Sequence, residues 1–237
     1  YNSDTGFYSW VCSAFAKARS LVSLYQISNK LLLMKTIITT FILFLTLSLH
    51  AQTSYEKAMQ KGLELLATDL QAASQQFERV AKAESENWLP PYYAALCHIN
   101  GSWGQNSKEQ TLFHMNKAQE FINDAELLSD NNPEIMVLQG MLNTCWIQYD
   151  SRTYGVKLSG ATNAIYQKAF QLAPDNPRVI SNRARWLMGS AKFFGKDITP
   201  YCGEVDKAIA LFEKETTIGF DPSWGKKGAL NVKKGCE

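Results

Sequence analysis

The strongest constraint on this chain is that it repeats itself. Residues 118–133 (AQEFINDAELLSDNNP) and 162–177 (TNAIYQKAFQLAPDNP) align without a gap. A third copy begins at Ala73, with Phe77, Val80 and Ala83, and a fourth at Ala208, with Phe212 and Ile218, ending at Pro222. The four starts lie 45, 44 and 46 residues apart. Within a copy, a small residue is followed by a bulky one four later and by further small or aliphatic residues at steps of three, which is one stripe of an α-helix. Asn-Pro then closes that helix and opens the next, because proline fits a first turn but not a helix interior. Each terminator is followed by a second apolar-periodic segment with a small residue where helices approach closely: Ala95, Gly140, Ala184 and Ala229. The pattern predicts helices at about 54–67, 70–85, 90–99, 107–129, 134–149, 160–173, 178–193, 204–217 and 223–235, and no segment alternates like a strand. The expected fold is therefore all-α: about four helical-hairpin units of roughly 45 residues and a terminal helix.

Tyr166-x-x-Ala169-x-x-Leu172-x-Pro174-x-Asn176, followed by the small Ala184, resembles the second helix and junction of a tetratricopeptide repeat (TPR). The steps Ala73-to-Phe77 and Ala208-to-Phe212 match the same signature. The period departs from the usual 34 residues or so, with the extra length expected between the two helices of a unit, near 100–107, 150–159 and 194–203. The pattern also resembles secreted repeat proteins of Bacteroidetes-type bacteria. The resemblance implies a TPR-like, right-handed helical-hairpin solenoid that binds a protein or peptide in its groove. Groove-facing places on the first helix of each unit are then Tyr92, Met141, Thr144, Arg178, Ser181, Arg185 and Met188. Arg178 and Arg185, seven apart, can receive an acidic partner; the plainer reading leaves them solvated or paired with Asp175 and Glu204.

Each long connection carries an aromatic-glycine step: Trp103-Gly104, Tyr154-Gly155 and Phe194-Gly195. In a solenoid such connections emerge at one edge and can build a shared surface. Equally, glycine can serve the turn and the aromatic can anchor it. If the surface is functional, Trp103, Tyr154 and Phe194 define an alternative site for a small ligand such as a sugar, in a binding protein or an enzyme.

Upstream of the repeats, Met34-Lys35 precedes the apolar run Ile37–Leu49, and His50-Ala51-Gln52 follows it. This reads as a signal peptide over 34–51, with cleavage after Ala51. A run of 13 residues spans about 20 Å as a helix, short of a hydrocarbon core of ~30 Å, so membrane contact is expected only through this segment before cleavage. Residues 1–33 show no usable pattern and are read as an upstream non-fold segment, leaving 54–237 as the repeat domain. The chain has 24 basic and 22 acidic residues; removing 1–51 takes four basic and one acidic, and the net charge becomes −1. No basic stripe suggests a nucleic-acid partner.

Chemistry-bearing motifs are sparse. Beyond residue 51 the only histidines are His98 and His114, and no H-E-x-x-H, C-x-x-C or G-x-S-x-G occurs. Adjacent Cys97 and His98 diverge by about 100° on a helix, so a metal site with His114 is not expected. No cofactor is implied and no enzyme is expected. Four cysteines remain after cleavage; Cys202 and Cys236 fall at one edge, one unit apart, and are the disulfide candidate. Cys97 and Cys145 read as buried hydrophobes. The reading is an exported, non-catalytic scaffold of the periplasm or cell envelope.

Overall fold

The computed structural model describes Met34 and residues 54–105 and 107–237. The chain divides into two units, residues 1–54 and 55–237, and the structural statements below concern the second. The upstream segment 1–33 and, apart from Met34, the expected signal segment 34–51 lie outside the described residues.

From residue 54 onward the described residues are all-α. Nine helices follow one another among them: α1 (54–66), α2 (Leu70–Ala83), α3 (Leu89–Gly101), α4 (Lys108–Leu128), α5 (Pro133–Tyr149), α6 (Ser151–Leu172), α7 (Pro177–Phe193), α8 (Thr199–Phe212) and α9 (Lys226–Lys233). Helices pack mainly against their chain neighbours, and α3, α5, α7 and α9 also touch in succession. The architecture is a right-handed helical-hairpin solenoid of four units closed by a terminal helix.

The repeat explains the packing. Ala73, Ala118, Thr162 and Ala208 are all fully buried, as are or nearly are Phe77, Ile122, Tyr166 and Phe212 four residues on. Glycine is required at two close approaches: a Cβ on Gly62 would lie 2.5 Å from the Phe77 ring, and one on Gly140 would lie 2.4 Å from the Tyr166 ring. Asn132 and Asn176 cap α5 and α7, each accepting from the second residue of its helix while proline occupies the first.

Two helices, α6 and α8, differ most from the sequence reading. The α6 helix begins at Ser151 rather than 160, because Asp150 caps it by accepting from the Arg152 and Thr153 amides. Tyr154 and Gly155 are thus helical, whereas Gly104 and Gly195 do occupy left-handed turns. The α8 helix runs from Thr199 to Phe212, so Cys202 sits in a helix. Cys202 and Cys236 are joined by a disulfide that ties α8 to the end of the chain beyond α9.

Candidate functional site

Residues 213–225, which join α8 to α9, run back along the N-terminal ends of α3, α5 and α7 as a strap. Phe220 packs edge-on against Tyr55 at 5.6 Å. The Tyr93 hydroxyl donates to the carbonyls of Phe220 (3.0 Å) and Asp221 (3.3 Å). Trp224 donates from Nε1 to the Tyr92 hydroxyl at 2.8 Å, and that hydroxyl donates to Glu134 Oε2 at 3.2 Å.

Arg178 lies at the centre of this arrangement. Its Nε reaches both Glu134 oxygens at 2.8 and 2.9 Å, and its terminal nitrogens reach the two Glu215 oxygens at 2.9 and 2.6 Å. Asn176 Nδ2 adds a 2.6 Å bond to Glu134 Oε1. Burial alone would lower the Arg178 pKa, but the Glu215 and Glu134 carboxylates outweigh it and hold the guanidinium above its usual range. A cleft of about 290 Å³ opens beside the cluster, lined by Trp88, Glu215, Thr216, Asp221 and Pro222 among others. Arg178, Glu134 and Glu215 in its wall already pair with one another, which suits the cleft to holding the strap.

The expected groove is thus largely used up by the fold. Tyr92 and Arg178 serve the strap, Ser181 and Met188 are buried, and Met188 belongs to a core cluster with Ala184 and Val205. Met141 packs against two core clusters, and Thr144 donates back to the Gly140 carbonyl. Among the seven, Arg185 alone is exposed. Of the two carboxylates expected to pair with arginines here, Glu204 pairs with Arg183, whereas Asp175 pairs with Lys207.

The opposite edge, at the C-terminal ends of the first helices, is different in character. Trp103, 46% exposed, stands on the α3–α4 turn, and Phe113, 55% exposed, on the first turns of α4. At the next turn Trp146 and Tyr154 lie with ring centroids 5.0 Å apart, and Tyr149 is edge-on to Trp146 at 6.2 Å. At the third, Phe193 and Phe194 form an exposed pair at 5.1 Å. Three successive units therefore each present aromatic surface on this side, from residues at or next to the expected Trp103, Tyr154 and Phe194.

Between the first two helices of this edge lies a feature that sequence spacing obscured. His98 and His114 meet with their Nδ1 atoms 3.0 Å apart, and His98 Nε2 lies 3.0 Å from Glu78 Oε1. The His98 ring stacks on Phe121 at 5.9 Å, and Phe113 is edge-on to both imidazoles. Burial lowers the His98 pKa despite Glu78, and burial followed by His98 lowers that of His114. Cys97 points away into the core, where burial pushes its thiol up to about 12. The signal that could have found the pair is the short turn between α3 and α4, which folds position 114 back over position 98. Among the described residues no group of three or more His, Cys, Asp or Glu is gathered to hold a metal ion.

No protein-family model matches the chain, and no curated protein matches its sequence. Among solved structures, the HusA haemophore from Porphyromonas gingivalis shares the fold, with a TM-score of 0.68 at 20% identity over 77% of this chain and 92% of that one. A thermophilic TPR protein of Thermus thermophilus, TTC0263, overlaps over 77% of this chain and 98% of its own, with a TM-score of 0.37 at 13% identity. The expectation of a protein or peptide partner is corrected by these findings. Tyr92 and Arg178 of the groove it relied on are bound by the chain's own strap, and HusA, a solved protein that shares the fold, is a haemophore.

Proposed function

We propose that this chain is an exported, non-catalytic binding protein for a flat, largely apolar, haem-like small molecule, taken up at the aromatic edge. The observation that carries the reading is the row of aromatic surface offered by three consecutive units: exposed Trp103 with Phe113, half-buried Trp146 with Tyr154, and exposed Phe193 with Phe194. Rigid rings on helix ends and tight turns offer stacking area at small entropic cost, which suits a planar ligand better than a flexible one. A polyhydroxylated sugar would need convergent hydrogen-bond donors and acceptors beside these rings, and the exposed pair Phe193–Phe194 brings none. Lys117 lies one helical turn on from Phe113 and His114 and can exchange its exposed partner Glu120 for a carboxylate of such a ligand. The shared fold with a haemophore supports the same reading. Export is supported by the signal-like segment at 34–51 and by the Cys202–Cys236 disulfide, a bond kept in oxidising compartments.

The test is titration of the purified protein with haemin and with metal-free protoporphyrin IX, followed by tryptophan quenching and porphyrin absorbance. Trp103→Ala and Phe113→Ala are expected to weaken both ligands about tenfold each, in line with loss of a stacked aromatic contact. Their thermal stability should barely change, because both side chains are exposed. Unaltered affinity in both variants would place the ligand elsewhere.

A further inference from the structure

The chain Glu78–His98–His114 links α2, α3 and α4 and has a directional consequence. A carboxylate only accepts, so the 3.0 Å contact with Glu78 puts the His98 proton on Nε2. Neutral His98 then has a bare Nδ1, which can only accept, and the bond across the pair is donated by the Nδ1–H of His114. His114 is left with its lone pair on Nε2. Among the described residues that nitrogen makes no hydrogen bond, and no buried side-chain nitrogen or oxygen lacks a partner, so Nε2 reaches solvent. The ring is held in place: it lies over Gly101, where an added Cβ would stand only 3.2 Å away, and Phe113 meets it edge-on at 5.4 Å.

We propose that His114 Nε2 is an axial ligand for the metal of a metalloporphyrin seated on the aromatic edge, with His98 and Glu78 as the positioning residues that fix its tautomer. The proposal rests on the haem-like ligand put forward above. A bare metal ion needs several protein donors, and no such group is gathered among the described residues. A porphyrin brings four nitrogens of its own, so one correctly protonated imidazole completes the coordination. Metal-bound histidines commonly donate their second N–H to an acceptor that orients the ring and raises its basicity. Here that acceptor is His98, backed by the Glu78 carboxylate.

The experiment compares haemin with metal-free protoporphyrin IX on the full chain and on His114→Ala, His98→Ala and Glu78→Gln. With the unaltered protein, haemin should give the absorption and electron-paramagnetic-resonance signature of nitrogen ligation. His114→Ala should abolish that signature and weaken haemin at least about tenfold more than it weakens metal-free protoporphyrin. Added imidazole should restore the spectrum, and circular dichroism should report an intact helical fold. Glu78→Gln and His98→Ala should shift the spectrum while leaving metal-free porphyrin binding intact. A haemin spectrum identical in His114→Ala and the unaltered chain, with porphyrin still bound, overturns the ligand assignment and leaves the proposed function standing. Failure of the unaltered chain to bind either porphyrin overturns both.

Discussion

The Nε of Arg178, in the first turn of α7, lies 2.8 and 2.9 Å from the two carboxylate oxygens of Glu134, in the first turn of α5. The same guanidinium closes on Glu215 in the strap, so one nearly buried cation holds two anions from separate parts of the chain. Removing it would leave both carboxylates facing each other with little water. Arg178→Met is therefore expected to cost about 3–5 kcal/mol, measured by urea unfolding. Glu215→Gln should cost less, since the Glu134 pair survives. A loss below about 1 kcal/mol for Arg178→Met would show that the cluster is a surface pair in solution.

Gly140 and Tyr166 provide a second, steric test. The Tyr166 ring is buried and an alanine methyl at 140 would meet it at 2.4 Å. Gly140→Ala should destabilise by about 1–3 kcal/mol through overpacking. This would happen although alanine is the better helix former by about 1 kcal/mol. Coupling Gly140→Ala with Tyr166→Leu should recover part of the loss in a double-mutant cycle.

The Cys202–Cys236 bridge closes a loop with a sequence separation of 34 and anchors the eight-residue α9. Chain-entropy arguments give it a contribution of about 3–4 kcal/mol. Reduction, or the pair Cys202→Ser and Cys236→Ser, should lower Tm by several degrees. Limited trypsin digestion should then cut first at Lys226, Lys227, Lys233 or Lys234. Unchanged digestion after reduction would mean that packing alone holds α9.

Stability should fall in alkali. Burial pushes Cys97 up to about 12 and Cys145 up to about 11, and it likewise raises the Tyr92, Tyr93 and Tyr166 hydroxyls. In the unfolded chain thiols ionise near 8.5 and phenols near 10. Above about pH 8.5 the unfolded state thus releases protons that the folded state keeps. The stabilisation is complete below that pH and drains away as pH rises towards the folded values. Thermal melts between about pH 8 and 11 should show Tm declining steadily. Over the lower part of that range Cys97 and Cys145 should resist iodoacetamide until the protein unfolds.

Much of the fold was legible because its determinants are local. The stripe Ala73–Phe77, Ala118–Ile122, Thr162–Tyr166 and Ala208–Phe212 sits within single helices, and helical periodicity survives without knowledge of any partner. The first half of α6 was obscured because Gly155 and Gly160 suggest a loop, whereas the Asp150 cap overrides their weak helix propensity. The strap was illegible for the opposite reason. The repeat pattern carries a helix on to residue 217 and a terminator to Pro222, whereas α8 ends at Phe212, and Phe220 finds Tyr93 across 127 positions. At the aromatic edge, Trp103, Tyr154 and Phe194 stood out beside glycines, while Phe113 and His114 looked like ordinary helix residues. Only the α3–α4 hairpin places His114 against His98.

The strap also changes how the molecule should come apart. In a simple repeat array each unit touches only its neighbours, so the ends melt independently of the middle. Here Phe220 and Trp224, beyond the last hairpin, pack against Tyr55, Tyr92 and Tyr93 of the first two units. Opening either end exposes residues of the other. The array is closed into a ring of dependencies, and hydrogen exchange should find its first and last units sharing a single global opening rather than a gradient of protection from centre to tips.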